Sequence, residues 1–306
     1  MHDLRERVPG DSDLVWILSS GTQSVNQIKC IGLSREAILV AAEGANRHLS
    51  ADVDVDVDAG AQPPGFGHDP DPRSRSRDIW LNPLPLYHIG GFAILARGGF
   101  ERGREFLFYA GKWDANAFHA QAERERATLT SLVPTQVHDL VRLSLRAPVS
   151  LRAIVVGGGT LDPGLYGRAR DLGWPVLPSY GLTECGSQVA TAGLESLRSS
   201  GYPALKVLSH VEVELRESRV CLRSAALCRW IATLDVTGEF RLSGGGDWFC
   251  TEDLAEWVSS SGGESGAGVG VVPGSDSGSG CGSASASGSG SGSGLGLKIL
   301  GRRDDV

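Results

Sequence analysis

The chain has 306 residues, 41% of them hydrophobic, enough to bury a core as one large domain or two smaller ones. Its 29 basic and 36 acidic side chains give a formal charge of −7, so bulk charge offers nothing to nucleic acid. No apolar run approaches the ~20 residues needed to cross a bilayer, and "MHDLRERVPGDSD" lacks the apolar stretch of a secretory signal.

In chain order, "LVWIL" (14–18) predicts a short buried strand. It leads into "SSGTQSVNQIK" (19–29), read as a loop. There Ser20, Gly21 and Thr22 let the backbone approach an anion, and Lys29 can meet a phosphate. Ser34 is placed to cap the helix "LSREAILVAAEGANRHL", where Ile38, Ala41, Ala42, Ala45 and Leu49 share one face. Residues 51–77, with alternating aspartates and prolines, read as a disordered-like solvated loop. A calcium loop is excluded, because Ala59 stands where glycine is required and Gly65 where glutamate is.

"IWLNPLPLYHIGGFAILARGG" predicts a strand, a proline-rich turn and an apolar helix, with His88 at the helix start. "FLFY" and "TLTSLV" read as strands around a polar helix, and Pro134 suits the first turn of the helix that follows. "LRAIVVGGG" is a buried strand opening into three glycines. Asp162 then caps a helix with Pro163 at its first position, which stops near Gly173. "PVLPSY" is the next strand.

This alternation predicts an α/β fold with mixed and parallel sheets flanked by helices. The short alternating segments at 207–258 predict antiparallel strands. A Ser/Gly-rich tract at 259–294 reads as disordered and separates "LAEWV" from "LGLKIL", which together suggest one hairpin with a lengthened loop. Loop closure costs only roughly 0.6 kcal/mol per doubling of length, so the hairpin tolerates this. The expected division is an α/β core at 14–206 and a β subdomain at 207–306. The six cysteines contain no C-x-x-C pair, so reduced thiols in a cytoplasmic protein are expected and a zinc site is not.

Two glycine-bearing patches, "GGG" at 157–159 and "SYGLTE" at 179–184, each follow a strand of the same sheet. Open α/β sheets bind ligands beyond the carboxyl ends of their strands. Tyr180 offers a ring to a base, and Thr183 and Glu184 offer oxygens suited to magnesium. The bland alternative makes Thr183–Glu184 a surface turn that caps a helix. Further on, Asp253 in "DWFCTEDLAEW" can accept from ribose hydroxyls, and Arg302 in "GRRDD" can pair with phosphate or ribose.

In this order the patches resemble the adenylate-forming superfamily of acyl-CoA synthetases, the AMP-binding enzymes. "SYGLTE" is similar to its Tyr-Gly-x-Thr-Glu signature, and "SSGTQSVNQIK" to its phosphate loop. "WFCTEDL" is similar to its Trp-Phe-x-Thr-Gly-Asp-Leu segment, with Glu252 in place of the glycine, and "GRRDD" to its hinge. "LPLYHIGGFAIL" and "SLVPTQVHDLV" look most like o-succinylbenzoate–CoA ligases of menaquinone synthesis.

The resemblance implies that a small carboxylic acid is adenylated with ATP and Mg2+ and then passed to coenzyme A. It implies phosphate binding by Ser20, Gly21, Thr22 and Lys29, and an adenine site framed by Gly158, Gly159, Tyr180 and Gly181. Thr183 would meet the α-phosphate and Glu184 the metal. Asp253 and Arg302 would bind ribose, Asp304 would be the hinge, and His88 would line the acyl pocket. It also implies a large domain truncated at both ends, whose C-terminal lid is supplied by another chain. A nucleotide-binding remnant without catalysis is the alternative, as is a ligase for another acid.

Overall fold

The computed structural model describes residues 13–19, 27–50, 78–98, 105–237, 239–259 and 295–303. Two antiparallel strands come first, β1 (Leu14–Ser19) and β2 (Gln27–Ser34), followed by the helix α1 (Arg35–Ser50). β2 replaces the expected irregular stretch, so Lys29 sits on a strand whose backbone is held from both sides. As expected, the Ser34 hydroxyl caps α1 by accepting from the Ala37 N–H at 3.1 Å.

The next elements are β3 (Ile79–Asn82), α2 (Ile89–Gly98), β4 (Glu105–Phe108), α3 (Ala115–Arg124) and β5 (Leu129–Leu132). Then follow α4 (Pro134–Arg142), β6 (Ala153–Val156), α5 (Pro163–Asp171) and β7 (Val176–Leu182). The hairpin partner β8 (Ser187–Thr191) and the short β9 (Lys206–Val207) complete a seven-stranded sheet in the order β4-β3-β5-β6-β7-β8-β9. Its first five strands are parallel and the last two pairings antiparallel.

β6 shows why the sheet is central. Ala153 and Val155 pack with α1 and α2 on one side, and Ile154 and Val156 pack with α3, α4 and α5 on the other. A strand buried on both faces must be apolar throughout, as "AIVV" is. Asp162 accepts from the Leu165 N–H at 2.8 Å to start α5, and Gly173, at φ 85°, follows its end.

The antiparallel strands of 207–258 are divided between two sheets. β10 (Glu212–Arg216), β11 (Arg219–Arg223), β14 (Phe249–Ser259) and β15 (Leu295–Arg302) form one. β12 (Trp230–Asp235) and β13 (Phe240–Gly244) instead join the N-terminal pair in the order β1-β2-β12-β13. β12 hydrogen-bonds β2 from Trp230↔Gly32 to Asp235↔Gln27, so the strand carrying Lys29 is fixed by chain some 200 residues away. The proposed hairpin is present: β14 and β15 pair from Ser259↔Leu295 to Asp253↔Arg302. The loops expected at 51–77 and within 260–294 lie outside the described residues.

The expectation of reduced thiols is corrected at one pair. Cys221 and Cys250 stand opposite each other across β11 and β14 and form a disulfide, with 4.0 Å between their Cα atoms. A separation of 29 residues gave no hint of this, because strand register is a tertiary property. Cys30, Cys185 and Cys228 are free. Reduction opens a 29-residue loop and is expected to lower stability by about 3–4 kcal/mol. Denaturant midpoints with and without a phosphine reductant check this, and coincident midpoints would count against the cross-link.

Candidate nucleotide site

The site is built at the carboxyl end of β6, which stops at Val156 opposite Pro178, whereas β7 runs on to Leu182, so residues 179–182 are strand and do not follow one as expected. Gly157 donates its N–H to the Leu132 carbonyl at 3.2 Å, and a Cβ added to Gly157 would lie 3.3 Å from the Ser179 carbonyl oxygen. The two glycine-bearing patches therefore meet. Gly158 takes φ 76°, a left-handed conformation that bears no side chain without strain. Gly181 is required for a different reason. A Cβ there would sit 2.0 Å from the Ser187 carbonyl oxygen, at the β7–β8 register shift.

Tyr180 does more than present a ring. Its hydroxyl donates to Asp253 Oδ2 at 2.6 Å across 73 residues of sequence, and Arg302 Nε lies 3.4 Å from Asp253 Oδ1. Thr251, which the sequence reading passed over, accepts from the Asp253 N–H at 3.0 Å and donates to the Val220 carbonyl at 3.0 Å. Burial, then the Asp253 charge and hydrogen bond, hold the Tyr180 hydroxyl far above its ordinary titration range. It remains a donor at any physiological pH.

Thr183 and Glu184 lie in a three-residue 3-10 turn, Thr183–Cys185, between β7 and β8. They cap no α-helix, and at 9% and 7% exposure they are no surface turn. The Glu184 carbonyl accepts from the Cys228 N–H at 2.7 Å, and a Cβ added to Gly186 would meet the Ala41 Cβ of α1 at 2.8 Å. The Glu184 side chain is met by Lys29, whose Nζ lies 2.5 Å from Oε1. The neighbouring Cys185 and Cys228 thiols are pushed up to about 12, chiefly by burial. At neutral pH they are protonated and offer no nucleophile.

Glu252, which replaces a glycine of the family pattern, directs its carboxylate to Arg219 at 3.7 Å, whereas Asp253 beside it faces Tyr180 and Arg302. His88 lies beyond the carboxyl end of β3, two strands over from β6, with its ring 4.5 Å from that of Tyr87. Ser20, Gly21, Thr22 and Asp304 fall outside the described residues.

Among the described residues no group of three or more His, Cys, Asp or Glu side chains gathers to cage a metal. The buried Glu184 carboxylate, paired here with Lys29, is an oxygen donor of the kind that suits magnesium, which usually arrives with phosphates and keeps few protein ligands. No helix among the described residues is long and apolar enough to cross a membrane.

Residues 58–220 match the model of the family described as AMP-binding enzyme. The chain belongs to the AMP-binding enzyme family. Within it, a 2-succinylbenzoate–CoA ligase of Bacillus subtilis is 32% identical over 149 residues, 47% of this chain and 30% of that protein. One from Staphylococcus aureus strain MRSA252 is 28% identical over 184 residues, 58% of this chain and 36% of its own.

Solved structures share the fold. E. coli MenE with bound OSB-AMS superposes with a TM-score of 0.59 at 24% identity, covering 95% of this chain and 49% of that one. Bacillus subtilis MenE in complex with ATP and magnesium ion gives 0.54 at 21%, covering 74% and 49%. This AMP-binding enzyme thus spans about a third of the curated relatives' length and about half of the solved chains.

Proposed function

We propose that the chain carries the nucleotide-binding part of an ATP-dependent acid–CoA ligase acting on o-succinylbenzoate in menaquinone biosynthesis, in the cytoplasm. The observation that carries this reading is that two side-chain clusters, Tyr180–Asp253–Arg302 and Lys29–Glu184, are both built on β7 and the turn that follows it. The named 2-succinylbenzoate–CoA ligases among the relatives support the choice of acid.

In this reading the substrate carboxylate attacks the α-phosphate of ATP, forming an acyl-phosphate bond as pyrophosphate leaves. The coenzyme A thiol then forms the thioester as AMP leaves. Such chemistry depends on positioning and charge neutralisation. Asp253 accepts the ribose hydroxyls, held in orientation by Tyr180 and Thr251, and Arg302 supports the same sugar. Gly158 and Gly159 admit the adenine against backbone, Gly181 keeps the β7–β8 hairpin closed beside it, Thr183 donates to the α-phosphate, and Lys29 reaches phosphate oxygens. When bound, Mg2+ supplies charge neutralisation at those phosphates, with Glu184 as its protein ligand. His88 faces the acid.

Glu252, a charged residue beside Asp253 where the family pattern has glycine, favours a second reading, a nucleotide-binding module without catalysis. Calorimetric titration with ATP, beside a hydroxamate assay for the adenylate with o-succinylbenzoate, separates the two. Hydroxamate formation is expected for the ligase. Binding without product supports the module, and absence of both contradicts each.

A further inference from the structure

We infer that Lys29 makes this site selective for a metal–polyphosphate complex over a free divalent cation, by occupying the metal carboxylate until a phosphate draws it away. The inference rests on the nucleotide reading above and deepens it. Lys29 Nζ lies 2.5 Å from Glu184 Oε1, the carboxylate that the metal needs. The two side chains are unequal in freedom. The Glu184 side chain is 9% exposed on a turn fastened to Cys228 and packed on α1, whereas the Lys29 side chain is 31% exposed on a flexible four-carbon stem. The lysine is therefore the group that moves.

Charge decides what can make it move. With Lys29 in place the carboxylate is neutralised, which removes the cost of leaving a buried anion unpaired. A free divalent ion must either displace the ammonium with nothing to receive it or sit beside it, and both are unfavourable in a poorly hydrated site. A nucleotide triphosphate brings the metal and, in the same event, oxygens for the displaced ammonium. Lys29 passes from carboxylate to phosphate while Glu184 passes from ammonium to metal. No bond is made or broken beyond these ionic contacts. Metal and nucleotide consequently strengthen each other's binding, reciprocally.

The test is Mn2+ binding to the full chain, read by electron paramagnetic resonance without nucleotide. Lys29→Met is expected to bind free Mn2+ about tenfold tighter than wild type, and Lys29→Arg to resemble wild type. Adding Glu184→Gln to Lys29→Met is expected to abolish the gain, which ties it to this carboxylate. Equal or weaker Mn2+ binding by Lys29→Met overturns the inference. Should that variant fail to fold, wild type alone still decides: a non-hydrolysable ATP analogue must tighten Mn2+ binding about tenfold, and no change overturns the inference. ATP affinity persisting in wild type without such coupling would sink this inference and leave the nucleotide reading standing.

Discussion

Replacing Asp253 with alanine is expected to weaken AMP binding roughly 10- to 100-fold, since a charged hydrogen bond contributes about 1.5–3 kcal/mol. Two effects add. The ribose loses its carboxylate acceptor, and the Tyr180 hydroxyl, which donates to Asp253 at 2.6 Å, is left without its partner. Arg302, whose Nε lies 3.4 Å from the same carboxylate, loses that contact. Tyr180→Phe separates these contributions, because the ring stays and only the hydroxyl goes. It should cost AMP affinity less than the aspartate does, by about tenfold or less. Titration of AMP into the three proteins checks both, and unchanged affinity in Asp253→Ala would contradict the ribose assignment.

Gly181→Ala is expected to be the most damaging single methyl group in the site. The new Cβ would stand 2.0 Å from the Ser187 carbonyl oxygen and 3.0 Å from the Gln188 Cα, both backbone atoms that no rotamer change can relieve. The β7–β8 hairpin must open, and with it the turn that carries Thr183 and Glu184. Overpacking of this kind costs on the order of 3 kcal/mol. Urea denaturation should show that loss, together with loss of nucleotide binding. A stable variant with intact AMP affinity would mean that the hairpin is looser than described.

Local signals carried much of the fold in the sequence. Capping by Ser34 and Asp162 and the apolar run of β6 are each decided by a few neighbouring residues, and each was readable. The β14–β15 hairpin was readable too, because strand-like segments flank the Ser/Gly tract on each side. β2 was not. Its polar start, "QIK", follows a Ser/Gly stretch, and its partners β1 and β12 include one some 200 residues downstream.

The site divides in the same way. Tyr180, Thr183, Glu184 and Asp253 stand out in the sequence by chemical type. Their mutual contacts were not, because the Lys29–Glu184 and Tyr180–Asp253 pairs span 155 and 73 residues. The Cys221–Cys250 disulfide was hidden for the same reason. A strand register brings those side chains together, and no short window of sequence contains it.

A photoreactive adenine reports most directly on whether these strands form one nucleotide site. The chain is irradiated with 8-azidoadenosine triphosphate and Mg2+, digested, and the labelled peptide identified by mass spectrometry. The account predicts label on the peptides that hold Gly158–Gly159 or Tyr180, suppressed by excess AMP. Label confined to other peptides, or insensitive to AMP, would contradict it.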